Sequence, residues 1–345
     1  MVGASIVSAL NTVPFSNSPS LKLGNWLYVG GSGPGNYSKI QDAIYNSSPG
    51  DTIYVYNGTY YETLFINVTN LTLIGDGRDV TVINANSTTA VYIQQSFVSI
   101  QGFRIIAYEN FTYDNGIYVA NGLQNVKICN NNLSKNSRGI NIDGRNNYDV
   151  VENNVFYSNF YGIVFYNDDQ CIIRDNKFVG DTNGLVLYGV ENEILNNSFI
   201  GCDLEGIDQI AGGLSTFRDN IFIGNDIGLS VCGTYDIIEN HFENNGLGLG
   251  LYYGSDSVVN QNNFIDNYKD ATFSEMSPLH GNNWDGNYWG ISFYPFGCKI
   301  IFGCVKTRIP RIIQIDPGET TYYWISWVNL DRNPAKEPYD VPGMS

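Results

Sequence analysis

The segment GINIDGRNNYDVVENNVFYSNFYGIVFYNDDQCIIRDNKFVGDTNGLVL (residues 139–187) decides the fold, because one pattern starts three times within it. Each copy begins with a glycine that is followed by alternating apolar residues. The same start recurs along the chain at Gly116, Gly139, Gly162, Gly184, Gly206, Gly228, Gly248 and, in degenerate form, Ala271. Successive starts are 23, 23, 22, 22, 22, 20 and 23 residues apart. A repeat of this length predicts a solenoid of stacked coils.

A polar feature keeps the same phase, because an Asn lies two residues before a large apolar residue in each copy. We expect this Asn to occupy a bend and to pair with the Asn of the next coil, while the apolar residue stacks inside. The predicted ladder comprises Asn131, Asn154, Asn176, Asn197, Asn220, Asn240 and Asn262, and the pair Asn282/Trp284 extends the series. A second polar column follows five residues later, at Asn136, Asn159, Asp181, Asn225, Asn245, Asn267 and Asn287, and is broken at Cys202.

The alternation of apolar residues predicts strands whose alternate side chains face a common interior. Leucine-rich repeats have a similar length, but the helical segment of such repeats is missing here. The sequence therefore predicts an all-β fold, a right-handed, single-stranded parallel β-helix of the pectate-lyase-like type.

The ends of the chain depart from the repeat and suggest four segments. Residues 1–24 have the small and apolar character of an export-signal remnant, although no basic residue precedes Lys22, so a disordered tail is the alternative. Residues 25–50 are expected to form an N-terminal cap with a helix at about 38–48, started by a capping box of Ser38 and Gln41. Residues 51–289 form the coils, and the aromatic-rich residues 290–345 an irregular C-terminal cap.

Composition narrows the possible partners. The 345 residues include 18 Lys and Arg against 34 Asp and Glu, which gives a formal net charge of −16. Such a charge repels nucleic acid and anionic lipid. No apolar run reaches eighteen residues, so no membrane span is expected.

Other features suit an extracellular or cell-envelope location. Nine glycosylation sequons occur, as in a surface glycoprotein, at Asn36, Asn46, Asn57, Asn67, Asn70, Asn86, Asn110, Asn132 and Asn196. The six cysteines form no dense disulfide framework, and Cys298 with Cys304 is the one pair that suggests a local bridge, with packed thiols as the alternative.

With these motifs in view, the chain resembles the NosD-like repeat proteins within the wider carbohydrate-binding and sugar-hydrolase group of parallel β-helices. The resemblance covers about residues 25–345. It rests on the Asn-x-Phe coils and on these segments: LYVGGSGPGNYSKIQDAI (27–44), GDTIYVYNGTYYE (50–62), NLTLIGDG (70–77), NYWG (287–290) and WVNLDRNPAKEPYD (327–340). These motifs specify fold and capping rather than chemistry.

The NosD resemblance implies a role in copper delivery, but copper sites need clustered His, Met or Cys. The chain has two histidines, His241 and His280, nearly two coils apart, and three methionines. We therefore expect no metal site, and no motif implies an organic cofactor.

Lyases and hydrolases of this fold carry carboxylates on the outer face of neighbouring coils. Asp168 and Asp169 in the segment NDD, together with Asp143, are the catalytic candidates, with a solvated turn as the alternative for NDD. Gly-His-Gly and Arg-x-Lys, the companion motifs of polygalacturonase-like enzymes, are absent.

Outward tyrosines suggest a second kind of site, because a flat ring covers the apolar face of a sugar while nearby Asp and Asn bind its hydroxyls. The candidates are Tyr118, Tyr166, Tyr188, Tyr252 and Tyr253, which fall on or near one outer face; plain sheet stabilisation is the alternative. The sequence favours a non-catalytic protein that binds a polysaccharide, or a cell-surface glycan or protein. A polysaccharide lyase or glycoside hydrolase is the first alternative, and a copper-delivery accessory protein is the second.

Overall fold

The structure, a computed structural model, describes residues 24–85, 89–107, 114–254, 256–275, 281–290, 298–308 and 322–342. The predicted tail at residues 1–24 therefore lies outside the described residues except for Gly24. The chain winds into coils whose strands form three parallel sheets, here called A, B and C. The predicted all-β, right-handed parallel β-helix is confirmed.

Strands are numbered in chain order. Sheet A contains β1 (Trp26–Val29), β2 (Thr52–Val55), β5 (Thr72–Gly75), β8 (Ser99–Gln101), β11 (Lys127–Cys129), β14 (Val150–Glu152), β17 (Ile172–Arg174), β20 (Glu193–Leu195), β23 (Thr216–Arg218), β26 (Asp236–Ile238), β29 (Val258–Asn260) and β32 (Asn283–Asp285). Sheet B contains β3 (Gly58–Tyr60), β6 (Thr81–Asn84), β9 (Arg104–Ile106), β12 (Asn132–Ser134), β15 (Val155–Tyr157), β18 (Lys177–Val179), β21 (Ser198–Ile200), β24 (Ile221–Ile223), β27 (His241–Glu243) and β30 (Asn263–Ile265).

Sheet C contains β4 (Leu64–Ile66), β7 (Thr89–Ile93), β10 (Asn115–Val119), β13 (Arg138–Ile142), β16 (Tyr161–Tyr166), β19 (Asn183–Val190), β22 (Glu205–Gly213), β25 (Ile227–Cys232), β28 (Leu247–Tyr252), β31 (Lys269–Glu275), β33 (Lys299–Arg308) and β34 (Tyr322–Asp331). The last two strands pair antiparallel, whereas the other strands of this sheet are parallel.

A helix, α1 (Ile40–Tyr45), packs Ile40, Ala43 and Ile44 into the core near the first coil. It is shorter than the predicted span, and Ser38 and Gln41 do not form the expected capping box. Instead the Glu62 carboxylate accepts the backbone N–H groups of Ile40 and Gln41, at 2.9 and 3.1 Å. A distant carboxylate thus satisfies the helix N-terminus, which local spacing could not reveal.

The interior is a stack of aromatic rings that runs along the solenoid axis. Phe156, Phe178, Phe199, Phe222, Phe242 and Phe264 follow one another with ring centroids 4.5–5.2 Å apart. All six are fully buried. Trp289, not Trp284, continues the stack, at 4.5 Å from Phe264, because Trp284 pairs with Val259 in sheet A.

The seven Asn residues of the predicted ladder are hydrogen bonded in series. In each step the side-chain oxygen of one Asn accepts both the backbone N–H and the amide N–H of the Asn one coil earlier, as between Asn154 and Asn176 at 3.0 and 3.1 Å. The series continues through Asn287, which the sequence assigned to the second column. It ends at Asp331 of β34, whose Oδ2 accepts N–H donors of Asn287 and Trp289.

An acceptor-only group suits the end of this ladder, because within the described residues no further coil supplies an oxygen to which an amide at this position could donate. We expect Asp331→Ala to lower the free energy of unfolding by roughly 3–5 kcal/mol, since it leaves three buried donors without an acceptor. Urea unfolding followed by circular dichroism measures the loss. The exposed Asp340→Ala is the control, and equal stability of the two variants would contradict the role of Asp331.

Candidate functional site

The outer face of sheet C has a column of side chains that point outward and are nevertheless buried. Along its middle column, Asn141, Val164 and Val186 each lie between two core residues and therefore point outward. Their exposed fractions are nevertheless only 8, 2 and 5%. Larger side chains at the borders must cover them, so these residues form the floor of what we call the sheet C recess. Asp208 follows Val186 in the same column and is half-buried.

The predicted sugar-binding tyrosines divide between two columns. Tyr118 lies in the floor column, in register with Asn141. Tyr166 and Tyr188 lie in register in the bordering column, and their rings stack with centroids 5.6 Å apart. Tyr252 belongs to this column three coils beyond Tyr188, and the adjacent Tyr253 is 58% exposed. Since Tyr166 and Tyr188 cover each other, they offer the recess their edges and hydroxyls rather than two open ring faces.

Asp143 lies at the edge of this face and is held by a tyrosine. The Tyr118 hydroxyl donates to Asp143 Oδ2 at 2.7 Å. Burial, followed by this hydrogen bond, raises the pKa of Tyr118 to about 12. Asp143 therefore has a polar partner at the surface, next to the floor of the recess.

The opposite border carries a cation and an amide–carboxylate pair. The Arg138 guanidinium lies 6.0 Å from the ring centroid of Tyr161. On the following coils, the Asn183 side-chain amide donates to Glu205 Oε2 at 2.6 Å. Polar groups of both kinds, donors and acceptors, thus line this side.

Asp208 is the acidic group on the recess floor. Burial, followed by the negative charge of Glu205, raises its pKa to about 6. A carboxyl group of this kind holds its proton closer to neutral pH than a solvated one, which suits proton donation.

The NDD segment does not contribute to this face. Asp168 is fully buried, and its Oδ1 accepts the backbone N–H of Asn146 at 2.8 Å. Asp169 accepts the backbone N–H of Val190 at 2.9 Å. The expectation that these carboxylates lie on the outer face or in a solvated turn is not met for Asp168, because the turn needs its oxygen as an internal acceptor.

Other buried carboxylates likewise accept hydrogen bonds from N–H groups of the preceding coil. Asp181 accepts both N–H donors of Asn159, and Asp149 accepts the N–H of Val126. In each column the next coil supplies a buried cysteine, Cys202 and Cys171 respectively, which offers no amide oxygen to continue the ladder. Asp181 therefore ends the run of amides from Asn136 and Asn159 inside the solenoid, as Asp331 does at its end.

Two groups of residues were not predicted from the sequence. Glu205 lies on the border of the recess and directly precedes a coil-start glycine, outside the alternating positions on which the predictions rest. An aromatic patch on sheet A contains Trp26, Tyr28, Tyr54 and Tyr56, with neighbouring centroids 5.2–6.3 Å apart. The period-2 alternation in WLYV (26–29) and TIYVY (52–56) would have indicated that patch.

The predicted bridge between Cys298 and Cys304 is not formed, and both thiols are free. Residues 299–304 are extended within β33. At about 3.3 Å per residue this places the two Cα atoms roughly 20 Å apart, far beyond disulfide reach.

The described residues do not assemble a copper site. His241 is buried, and its Nε2 lies 3.0 Å from Glu243 Oε2. No group of three or more His, Cys, Asp or Glu positioned for a metal ion occurs within the described ranges. His280 lies outside them.

In a comparison with protein families, the NosD model, described as a periplasmic copper-binding protein, matches residues 44–292. The chain belongs to the NosD family. This NosD-family chain has no match among curated proteins. Within the described residues, no helix has the length and hydropathy that crossing a bilayer requires.

Solved structures similar to this NosD-family chain share its fold at low identity. The catalytic domain of a GH87 alpha-1,3-glucanase in complex with nigerose matches with TM-score 0.61 and 14% identity, over 81% of this chain and 60% of that one. The DFA-IIIase of Arthrobacter chlorophenolicus A6 matches with TM-score 0.56 and 12% identity, over 77% and 95%. ORF18 of Geobacillus virus E2 matches with TM-score 0.55 and 15% identity, over 77% and 57%. The chain thus spans about three fifths of the glucanase domain and of ORF18, and these identities establish the fold alone.

Proposed function

We propose that this protein is a secreted or envelope β-helix that binds a glycan in the sheet C recess. The observation that carries the proposal is the burial of outward-facing floor residues between a tyrosine border and an amide–carboxylate border. Concave sites with apolar walls and a few oriented polar groups are typical of ligand sites.

We also propose the division into an N-terminal cap, coils and a C-terminal cap at residues 25–50, 51–289 and 290–345.

The polar chemistry of the recess suits sugar hydroxyls. Tyr166 and Tyr188 are only half-buried along the border, and a tyrosine hydroxyl can both donate to and accept from a sugar hydroxyl. On the opposite border the Glu205 carboxylate is half-buried and can accept a hydroxyl proton.

The charges favour a neutral glycan over a uronic acid polymer. The protein carries −16 overall, and Asp143, Glu205 and Asp208 lie on or beside the recess. A polyanion would be repelled at long range and would bring further carboxylates next to these three.

We expect Tyr188→Ala to weaken binding of neutral oligosaccharides about tenfold, because it removes half of the stacked border at a cost of about 1.4 kcal/mol. Isothermal titration calorimetry with a panel of neutral glucan, fructan, mannan and xylan oligosaccharides measures the affinity. Tyr157→Ala is the matched control, since Tyr157 is 50% exposed on sheet B, away from the recess.

Equal loss in Tyr157→Ala and Tyr188→Ala would place the binding surface elsewhere. Binding of polygalacturonate in preference to every neutral oligosaccharide would contradict the charge argument. The variants must first match the parent protein in thermal unfolding, so that a loss of affinity reports the site rather than the fold.

A further inference from the structure

Two carboxylates share one strand at the recess and face outward together. Glu205 begins β22, and Asp208 lies three residues later. Between them Gly206 and Ile207 both turn inward: a Cβ on Gly206 would meet the Phe222 ring at 2.9 Å, and Ile207 is fully buried. This bend returns Asp208 to the outer face beside Glu205. At about 3.3 Å per residue their Cα atoms are roughly 10 Å apart.

The sheet is irregular directly after Asp208. Pairing of β19 with β22 shifts register there, so that Leu187 pairs with Gln209 while Tyr188 pairs with Ala211. The extra residue, Ile210, is 38% exposed. Bulges redirect side chains and recur next to active sites.

The bulge also places a polar side chain in an otherwise apolar position. Gln209 is 1% exposed, and its side-chain amide donates to the backbone oxygens of Gly189 and Ala211, at 3.1 and 2.7 Å. These bonds hold the strand in its irregular path. A local departure from good packing beside a half-buried acid is expected at functional sites.

Further polar groups converge on the pair. Ser230 lies in register with Asp208 on the next coil. The Tyr252 ring lies over Gly250. Only glycine fits there, because a Cβ at this position would lie 2.7 Å from the ring. Asn183 holds Glu205 from the preceding coil through the 2.6 Å hydrogen bond.

We propose that Asp208 and Glu205 are the general acid and the general base of a glycoside hydrolase that cleaves the neutral glycan bound in the recess. The inference rests on the proposed glycan binding and adds a reaction to it. With Cα atoms roughly 10 Å apart, the two side chains can hold their carboxyl groups at the separation of about 6.5–9.5 Å that inverting hydrolases use, which leaves room for a water between base and substrate.

The reaction uses the substrate and one water molecule. Asp208 transfers its proton to the glycosidic oxygen as the bond between that oxygen and the anomeric carbon breaks. The water oxygen forms the new bond to the anomeric carbon from the opposite face, and Glu205 takes the proton that this water loses. Solvent then returns a proton to Asp208 and removes one from Glu205, so that both residues regain their starting states.

The environment of Asp208 fits the acid role. Burial and the charge of Glu205 raise its pKa to about 6. The titratable groups that face it come from two other strands as well as its own: Tyr188, Cys232 and Glu205. Tyr252, from a third strand, faces Glu205. Activity should therefore fall as the pH rises above about 6, when Asp208 loses its proton.

The test is hydrolysis of the neutral oligosaccharide panel by the full chain, followed through new reducing ends and through the anomeric configuration of the first product by NMR. We expect cleavage with inversion. Asp208→Asn and Glu205→Gln should each lower the rate at least 100-fold while oligosaccharide affinity stays within about threefold of the parent. Asp203→Asn is the control, because Asp203 is an exposed carboxylate on the same coil outside the recess, and its rate should be unchanged.

The outcomes separate the two proposals. Oligosaccharide binding without cleavage of any panel member would overturn the hydrolase assignment and leave glycan binding intact. Absence of both binding and cleavage would overturn both. Cleavage with retention, or equal loss in Asp203→Asn and Asp208→Asn, would overturn the assigned roles of Glu205 and Asp208.

Discussion

Phe178→Asp is expected to abolish folding. The Phe178 ring is fully buried between Phe156 and Phe199, with centroids 4.6 and 4.5 Å away. The substitution removes this packing and leaves a carboxylate in the apolar interior, where no partner compensates its lost hydration. We expect a loss of more than about 5 kcal/mol in the free energy of unfolding, which exceeds the margin of many proteins.

Circular dichroism and thermal unfolding of the purified variant measure the effect. Tyr157→Asp on the preceding coil is the control, because Tyr157 points outward and is half exposed; it should fold with nearly parental stability. A soluble, cooperatively unfolding Phe178→Asp protein would contradict the assigned inward orientation.

The protein is expected to be more stable at pH 5 than at pH 8.5. Burial raises the pKa of Asp149 and Asp181 to about 7 and that of Asp168 to about 8, and the charges of Asp149 and Asp169 add to the effect on Asp168. The folded state therefore binds more protons than the unfolded state between about pH 4 and pH 8. Stability is fully present below pH 4 with respect to these groups and is lost as the pH rises through 7 and 8.

One pKa unit corresponds to about 1.4 kcal/mol, so the raised pKa values of the three groups together should change the free energy of unfolding on the order of 10 kcal/mol between pH 4 and pH 8. Urea unfolding at half-unit pH steps measures the curve. Asp168→Asn removes one titrating group and should flatten it, whereas the exposed Asp203→Asn should leave its shape unchanged. A stability that rises from pH 5 to pH 8.5 would contradict these raised pKa values.

Sequence periodicity predicted the structure correctly wherever every coil needs the same kind of residue at the same position. The inward Phe column and the hydrogen-bonded Asn series lie where the spacing placed them, because one interior ring and one bend amide are needed per coil. Periodicity failed where the repeat ends: Asn287 and Trp289, not Asn282 and Trp284, carry the two columns onward. The longer spacing of the last coil is set by contacts with β34, which local sequence does not contain.

The candidate site was also predictable only where local sequence features determine the position of a side chain. Strand alternation identified Tyr118, Tyr166, Tyr188 and Tyr252 as outward-facing, since alternation is a local property of an extended chain. It could not distinguish an outward acid from one turned inward at a bend, and so it grouped Asp168 with surface carboxylates and passed over Glu205.

The sequence by itself determined that this chain forms a parallel β-helix, which residues fill its interior and that its formal net charge is −16, because periodicity and net charge are sums over local features. Only the tertiary structure decided which acids are ladder ends and which lie on the recess, how the bulge at Ile210 lies beside Asp208 and which groups converge on Glu205. Those properties depend on side chains about 20 or more residues apart in sequence, and on burial that neighbouring coils create together.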